Sequence, residues 1–287
     1  MRYGLPYQGS KSRIAKWVVD TLPKSHTLVD LFAGGCAVTH AALLSGKWEH
    51  FIINDITDTP TVFVDAIKGE FKNFSTVLTR DEFMKCDDTA LQLLYSFGNS
   101  KKAYLWAEDI EQVKVSAAKM LCSPSLHERR IAYRAFVRNL LDYISNGDTY
   151  SMRIQSIERL DGLQNLEALE RLEALERLDA MERLDYRLVE IPEGATVYAD
   201  PPYRGTNCDA YEPFDFDAFD AWLNGVDFPV FVSEYTCPKG CFEVARIGTT
   251  THYSQTNNDK RIEKIFVQER FKDEIQLPTL FSADDFE

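Results

Sequence analysis

The chain has no apolar run approaching the ~18 residues that a membrane span needs. Its first residues, Met1-Arg2-Tyr3-Gly4, lack the charged-then-apolar pattern of a secretory signal. A soluble, cytoplasmic protein is the expectation. Cysteine is sparse: six residues, at 36, 86, 122, 208, 237 and 241, are scattered over 287 positions, which suits reduced thiols rather than a disulfide framework. Cys237 and Cys241 bracket Pro238-Lys239-Gly240, but no second pair follows at zinc-like spacing, and His252 is the only histidine near them in sequence. A structural turn is expected there, and no metal site. Positive charge is in deficit as well. Lys and Arg number 32 against 45 Asp and Glu, a formal net charge of −13, so the surface is not uniformly attractive to a polyanion. Local basic faces remain open. Arg2, Lys11, Arg13 and Lys16 crowd the N-terminus, and Lys119, Arg129, Arg130, Arg134 and Arg138 crowd a second stretch, while acids gather in 158–193 and 209–220. No Gly-x-Gly-x-x-Gly is present, which argues against a dinucleotide. Against these absences stands a hydrophobic content of 45% with 18 Phe. That supports one large α/β domain with an insertion, or two domains.

The most informative stretch is Ala199-Asp200-Pro201-Pro202-Tyr203. Thr196-Val197-Tyr198-Ala199 is rich in β-branched and aromatic residues and predicts a buried strand. The two prolines end it and remove two N–H donors. An acid thus stands at the carboxyl end of a strand in a stiff turn, the edge at which open α/β sheets bind ligands. Asp200 and the Pro201 carbonyl could accept both hydrogens of one amino group, with Tyr203 stacked on the ring that bears it. The same residues also suit a plain strand exit whose Asp caps the next helix.

Toward the N-terminus, Tyr7-Gln8-Gly9-Ser10-Lys11 predicts a turn opening a helix over 12–22, capped by Ser10 or Ser12. Residues 27–32, Thr-Leu-Val-Asp-Leu-Phe, predict a strand. Ala33-Gly34-Gly35-Cys36 then turns into a helix of small residues. Strand, glycine turn and helix together form a nucleotide-binding half-unit. A second strand, Phe51-Ile52-Ile53-Asn54, ends in Asp55, 21 residues after Gly34. An acid at about that distance hydrogen-bonds ribose hydroxyls in such units; a helix cap is the other reading of Asp55.

Residues 60–155 lack strand–helix alternation and predict helices over 59–68, 81–96, 108–121 and 126–144. Arg130, Arg134 and Arg138 step by four and share one helix face. That face suits phosphates and equally a salt-bridged surface. In 157–184 an apolar residue, mostly Leu, falls every third position. The composition favours helix, although a period of three drifts around 3.6 residues per turn; solenoid-like coils are a second possibility. Val189–Gly194 predicts a third strand edge. A helix over Phe214–Leu223, strands at 229–233 and 242–247, and a last strand at 262–267, antiparallel at the sheet edge, complete the pattern. Ser254–Arg261 predicts a polar loop.

Tyr7-Gln8-Gly9-Ser10-Lys11, Asp30-Leu31-Phe32-Ala33-Gly34-Gly35, Asp55 and Asp200-Pro201-Pro202-Tyr203 occur in the order found in Dam-type DNA adenine-N6 methyltransferases, and the chain resembles that family over 1–56 and 185–270. The resemblance implies a Rossmann-like α/β methyltransferase sheet, mostly parallel with an antiparallel edge strand, carrying an inserted, mainly helical target-recognition domain. It places the catalytic domain at 1–58 and 185–287, the insertion at 59–156 and a leucine-rich connector at 157–184. It implies S-adenosylmethionine as cofactor and double-stranded DNA as partner, with no metal and no membrane. By position, Asp200, Pro201, Pro202 and Tyr203 would hold the target base. Tyr7, Lys11, Asp30, Phe32, Ala33, Gly34, Gly35, Asp55, Asp185 and Tyr186 would hold the cofactor, Asp55 through the ribose and Asp185 through the adenine. Arg130, Arg134, Arg138, Asn257, Lys260 and Arg261 are the candidate DNA contacts. One departure stands out: the family's Phe-x-Gly-x-Gly is Phe32-Ala33-Gly34-Gly35-Cys36, with Cys36 in place of the second glycine. Other readings are methylation of cytosine N4 or of RNA, or a catalytically degenerate DNA-binding protein. No nuclease motif accompanies these segments.

Overall fold

The structure, a computed structural model, describes residues 3–7, 9–71, 74–145, 178, 180–205, 214–251 and 259–275, with the backbone alone at 144–145, 249–251 and 259–261. These residues group into two compact units, one drawn from 1–4, 10–60 and 177–287, the other from 5–9 and 61–176.

The first unit is built on a seven-stranded sheet. Its strands are β1 (Thr27–Asp30), β2 (His50–Asn54), β3 (Ala180–Glu182), β4 (Thr196–Ala199), β5 (Val230–Glu234), β6 (Cys241–Thr251) and β7 (Asp259–Gln268). They lie in the order β3-β2-β1-β4-β5-β7-β6. The pairs from β3 to β5 are parallel, and β7 is antiparallel to both β5 and β6. Every residue of β1, β4 and β5 is buried, as parallel strands covered on both faces must be. That is why their apolar residues follow one another instead of alternating with polar ones. The antiparallel strand expected at the edge is instead internal: β7 sits between β5 and β6, and β6 forms the edge. Hydrophobic pattern reports burial and not neighbour order, so this swap has no signature in the chain.

Strand alternation divides the buried residues between two faces. Val29, Leu31, Val197, Ala199, Val230 and Val232 form one core with Phe219 and Leu223 of the helix Phe216–Gly225 (α8). A fully buried side chain of this size contributes about 1.5–3 kcal/mol. Asp30 points the other way, toward the helix Ala37–Ser45 (α2), where Thr39 meets it. The helix Ala15–Thr21 (α1) packs against α2. It starts three residues later than expected and has no side-chain cap. Ser10 and Ser12 have other duties: Ser10 Oγ accepts from the Ser12 N–H, and Ser12 Oγ accepts from the Tyr3 N–H at 2.7 Å.

The described end of the leucine-rich repeat departs from the helical expectation. Ala180, Met181 and Glu182 pair in parallel with Ile52, Ile53 and Asn54 of β2. Asn54 secures the junction, its side chain donating to the Leu31 and Leu184 carbonyls and accepting from the Leu184 N–H. Edge pairing here overrides the helical preference of Ala, Met and Glu. This strand also takes the place of the one expected at 189–194. Residues 157–177 lie outside the described residues.

The second unit is mainly helical. Helix α3 (Thr59–Ile67) leads into it, followed by α4 (Arg80–Phe83), α5 (Thr89–Leu94), α6 (Glu111–Cys122) and α7 (Leu126–Ser145). The single helix expected over 81–96 is two. Thr79 and Glu82 form a reciprocal cap on α4, and Asp88 accepts from the Leu91 N–H to start α5 afresh. Arg80 ties the unit together: its side chain bonds Glu111 and the Trp106 carbonyl and lies over Tyr104.

Candidate active site

The sheet order sets the position of the site. The chain passes from β1 outward to β2 and β3, then returns to place β4 on the other side of β1. The carboxyl ends of β1 and β4 therefore flank a switch point, the crevice where α/β sheets take ligands. The turn after β1 carries Phe32–Cys36. The turn after β4 carries Asp200-Pro201-Pro202-Tyr203. The Leu31 N–H donates to the Tyr198 carbonyl at 2.9 Å, fixing the two exits side by side.

In the β1 turn, Asp55 builds the loop. Its Oδ2 accepts from the Gly34 N–H at 2.8 Å, and its Oδ1 from the Thr57 N–H and hydroxyl, each at 2.8 Å. A carboxylate has about four lone-pair positions, so Oδ2 keeps room for one ligand hydroxyl. The cap reading and the ligand reading of Asp55 are thus compatible. Asp30 is buried, with Oδ2 taking the Thr39 hydroxyl at 2.7 Å and Oδ1 lacking a partner of good geometry. Burial drives its carboxyl up to about 7, aided by the neighbouring Asp200 and Asp55 and opposed by Thr39 and the Phe32 N–H. Cys36, in the place of the family's second glycine, has φ +56°, a left-handed conformation that glycine adopts freely and other residues rarely. Its thiol is fully buried. The turn keeps the glycine geometry without the glycine. Gly4 packs directly on it: a Cβ there would lie 2.4 Å from the Gly35 carbonyl oxygen, and φ is +69°. The Gly4 N–H donates to Nδ1 of His40 at 2.9 Å. Burial lowers His40 to about 4, which keeps that nitrogen an acceptor.

In the β4 turn, Lys11 Nζ makes a 2.9 Å ion pair with Asp200 Oδ1 and lies 4.3 Å from the centre of the Tyr203 ring. Both charged side chains are mostly buried, 12% and 17% exposed. Burial pushes Asp200 above the usual carboxylate range, Lys11 pulls it down, and Glu263 pushes it further up. Burial would lower Lys11, but Asp200 and Glu263 together more than offset it, so its ammonium is held. Tyr203 is buried. Its hydroxyl donates to Glu263 Oε2 at 2.8 Å, and its ring meets Tyr235 edge-on at 4.5 Å. The Tyr235 hydroxyl reaches the other oxygen of Glu263 at 3.3 Å. Glu234 fixes the turn from below, accepting from the Arg204 N–H at 3.0 Å and the Tyr235 N–H at 2.7 Å. Glu234, Tyr235 and Glu263 are not among the residues that the sequence singles out. Alternation in the last strand places Glu263 among outward residues, and nothing in it points to a partner 60 residues upstream.

The remaining candidates are dispersed. Phe32 and Tyr186 stack at 5.2 Å within an aromatic group that includes Phe214, Phe219 and Trp222. Asp185 is held by its neighbour Arg187, whose backbone N–H, Nε and Nη2 all donate to it. Those bonds lower its carboxyl despite partial burial. Tyr7 is half-buried and groups with the second unit. Arg130, Arg134 and Arg138 are exposed on α7. A cleft of about 500 Å³ in the second unit runs between α6 and α7, with Lys119 and Arg138 at its sides, and holds none of the Asp200 group. Asn257 lies outside the described residues. Lys260 and Arg261, expected in a loop, are in β7, paired with Thr250 and Thr249; their side chains lie outside the described residues.

The model of one protein family, the D12 class N6 adenine-specific DNA methyltransferases, matches residues 7–223. The chain belongs to that family. A comparison with curated proteins returns no significant match. As a D12-class enzyme the protein methylates adenine N6 in DNA, and S-adenosylmethionine is the methyl donor that the family uses. The β1 turn suits that donor chemically. It offers an unsatisfied buried carboxylate oxygen on Asp30, one open position on Asp55 and a half-exposed Phe32 ring. These groups complement a cationic ligand with hydroxyls and an aromatic base. Among the described residues no cluster of three or more potential metal ligands occurs, and no helix is long and apolar enough to cross a membrane.

Proposed function

We propose that the enzyme methylates a flipped adenine in double-stranded DNA within a slot formed by Asp200, Pro201, Pro202 and Tyr203, next to S-adenosylmethionine seated on the turn after β1. The observation that carries this reading is the placement of the two turns on either side of the switch point, with Lys11 bonded to Asp200. S-adenosylmethionine supplies an electrophilic methyl group. Phe32, Ala33, Gly34 and Gly35 would line its site, with Asp30 and Asp55 meeting its polar groups and Tyr186 bordering it. Lys11 holds Asp200 in place for the base, and Tyr7 is assigned to the cofactor by family position. Asp185, clamped by Arg187, can contact the adenine moiety only through its remaining lone pairs.

Adenine N6 is a poor nucleophile because its lone pair is delocalised into the ring, and the base must leave the stack to be reached. Asp200 and the Pro201 carbonyl would accept its two hydrogens, favouring a pyramidal nitrogen with an available lone pair. Tyr203 would stack on the base, worth ~1–3 kcal/mol. Holding the nitrogen in line with the methyl group supplies most of the remaining help. The insertion 59–156 would be the target-recognition element, joined to the catalytic domain by the connector 157–184, and α7 would track phosphates through Arg130, Arg134 and Arg138. Asn257, Lys260 and Arg261, between and along β6 and β7, would add contacts. The setting that fits a DNA substrate is the cytoplasm of a bacterial or phage-infected cell that contains the target DNA. Labelled methyl incorporation into duplex DNA, single-stranded DNA and RNA tests the reading. Duplex DNA is the expected acceptor, and preferential labelling of RNA or of cytosine would overturn it.

A further inference from the structure

We infer that Glu263 is a positioning residue for the target-base slot, acting through Tyr203 and, on its other oxygen, Tyr235. The inference rests on the reading that Tyr203 receives the flipped base. A stacking ring is useful only if it is already in place, because every rotation it must give up is subtracted from the contact it makes. Tyr203 is restrained by several neighbours, among them Asp200, which also hydrogen-bonds its side chain. Lys11 lies over its ring at 4.3 Å, Tyr235 meets it perpendicular at 4.5 Å, and Glu263 holds its hydroxyl at 2.8 Å. Of these, Glu263 alone touches both rings, with one carboxylate oxygen for each hydroxyl. It is also anchored by the sheet. Residue 263 lies in β7, whose next residues pair with β5 from Lys264 to Phe266, so Glu263 and Tyr235 are brought together by the one antiparallel strand inserted into the sheet. The internal placement of β7 thereby gains a chemical consequence: an edge position would leave the Tyr203 hydroxyl without this acceptor.

Glu263 has a second effect through charge. It and Asp200 both favour the Lys11 ammonium, which is mostly buried. Removing Glu263 therefore loosens the ring and weakens the hold on Lys11, two defects that fall on base capture and not on the turn after β1. The role is separable from catalysis by contact, because Glu263 reaches the base only through Tyr203.

Full-length wild type, Glu263→Gln, Glu263→Ala and Tyr235→Phe would be compared for kcat, KM for duplex DNA, S-adenosylmethionine affinity and melting temperature. Flipping would be followed by the fluorescence rise of 2-aminopurine at the target position. The underlying reading is tested separately with Tyr203→Ala: loss of the fluorescence rise and of methylation at retained cofactor affinity supports it, and wild-type flipping in that variant would refute it. Given that reading, Glu263→Ala should lose kcat by about 100-fold, the size expected of an ångström-scale misplacement, and should lose most of the fluorescence rise. Its cofactor affinity should stay within about threefold of wild type. Glu263→Gln, which keeps an acceptor, and Tyr235→Phe, which frees one oxygen, should each fall between the two. Should Glu263→Ala not fold, the Glu263→Gln and Tyr235→Phe pair decides alone, through the same split between flipping and cofactor affinity. Wild-type flipping in the variants that fold, or a loss of cofactor affinity equal to the loss of kcat, would overturn the inference.

Discussion

Asp30 and His40 give the N-terminal half of the fold opposing responses to pH. His40 titrates at about 4 in the folded protein because it is buried, against ~6.5 in an unfolded chain. Its folded value is depressed, so its contribution is complete above pH ~6.5 and is lost as pH falls toward 4. The amount is about 3 kcal/mol at most. Asp30 is raised to about 7 by burial, with Asp200 and Asp55 adding to it. Its contribution is complete below pH ~4 and is lost as pH rises through 7, by at most about 4 kcal/mol. The two windows overlap and nearly cancel. Asp30→Asn should therefore unfold at higher urea than wild type at pH 8 and at similar urea at pH 4. A variant no more stable than wild type at pH 8 would contradict a strained Asp30. Its cofactor affinity should fall at the same time, the signature of a ligand group that carries a folding cost. Gly4 supplies a steric counterpart. Gly4→Ala places a methyl 2.4 Å from the Gly35 carbonyl in a left-handed backbone, so calorimetry should show a loss of at least about 2 kcal/mol.

Helix α7 and the short strands differ in what the chain discloses. Strands β1 and β4 are legible because four buried residues in a row, closed by glycine or by proline, admit few other structures. Asp200 and Asp55 are legible because each is the first acid after a short strand with a mainly apolar core. β3 is not, because Ala180-Met181-Glu182 has the composition of the helix-favouring repeat before it, and only three ladder pairs to β2 make it a strand. Glu263 is not, because its partners Tyr203 and Tyr235 are separated from it by 60 and 28 residues and are joined only when β7 inserts. For α7, spacing is visible in the sequence and exposure only in the fold: Arg130, Arg134 and Arg138 all face solvent. If they track phosphates, replacing all three by Ala should lower the slope of log affinity against log salt by about 0.9 for each phosphate no longer neutralised. Filter binding across a salt series would check this, and cofactor affinity should not change. An unaltered slope would assign the face to solvation alone.

In the proposed reading the molecule as a whole combines a donor site and an acceptor site on adjacent strands of one sheet, and the sheet order would bring them together. β1 and β4 are neighbours although more than half of the chain lies between them in sequence. Everything that sets β4 beside β1 therefore serves the chemistry, including the return of the chain through β3. The buried Lys11–Asp200 pair ties the N-terminal segment to the same place. Removing one partner of such a pair costs about 3–5 kcal/mol, so cofactor binding is a necessary control for any change at Asp200. In the proposed mechanism the chemistry depends on Asp200 presenting adenine N6 to the methyl donor. Nucleoside mass spectrometry reads that step directly, on duplex DNA incubated with S-adenosylmethionine and either wild type or Asp200→Ala, with cofactor affinity measured on both. Wild type should yield N6-methyladenine, and Asp200→Ala should yield none at comparable cofactor affinity. N6-methyladenine at wild-type levels from Asp200→Ala would refute this role for Asp200.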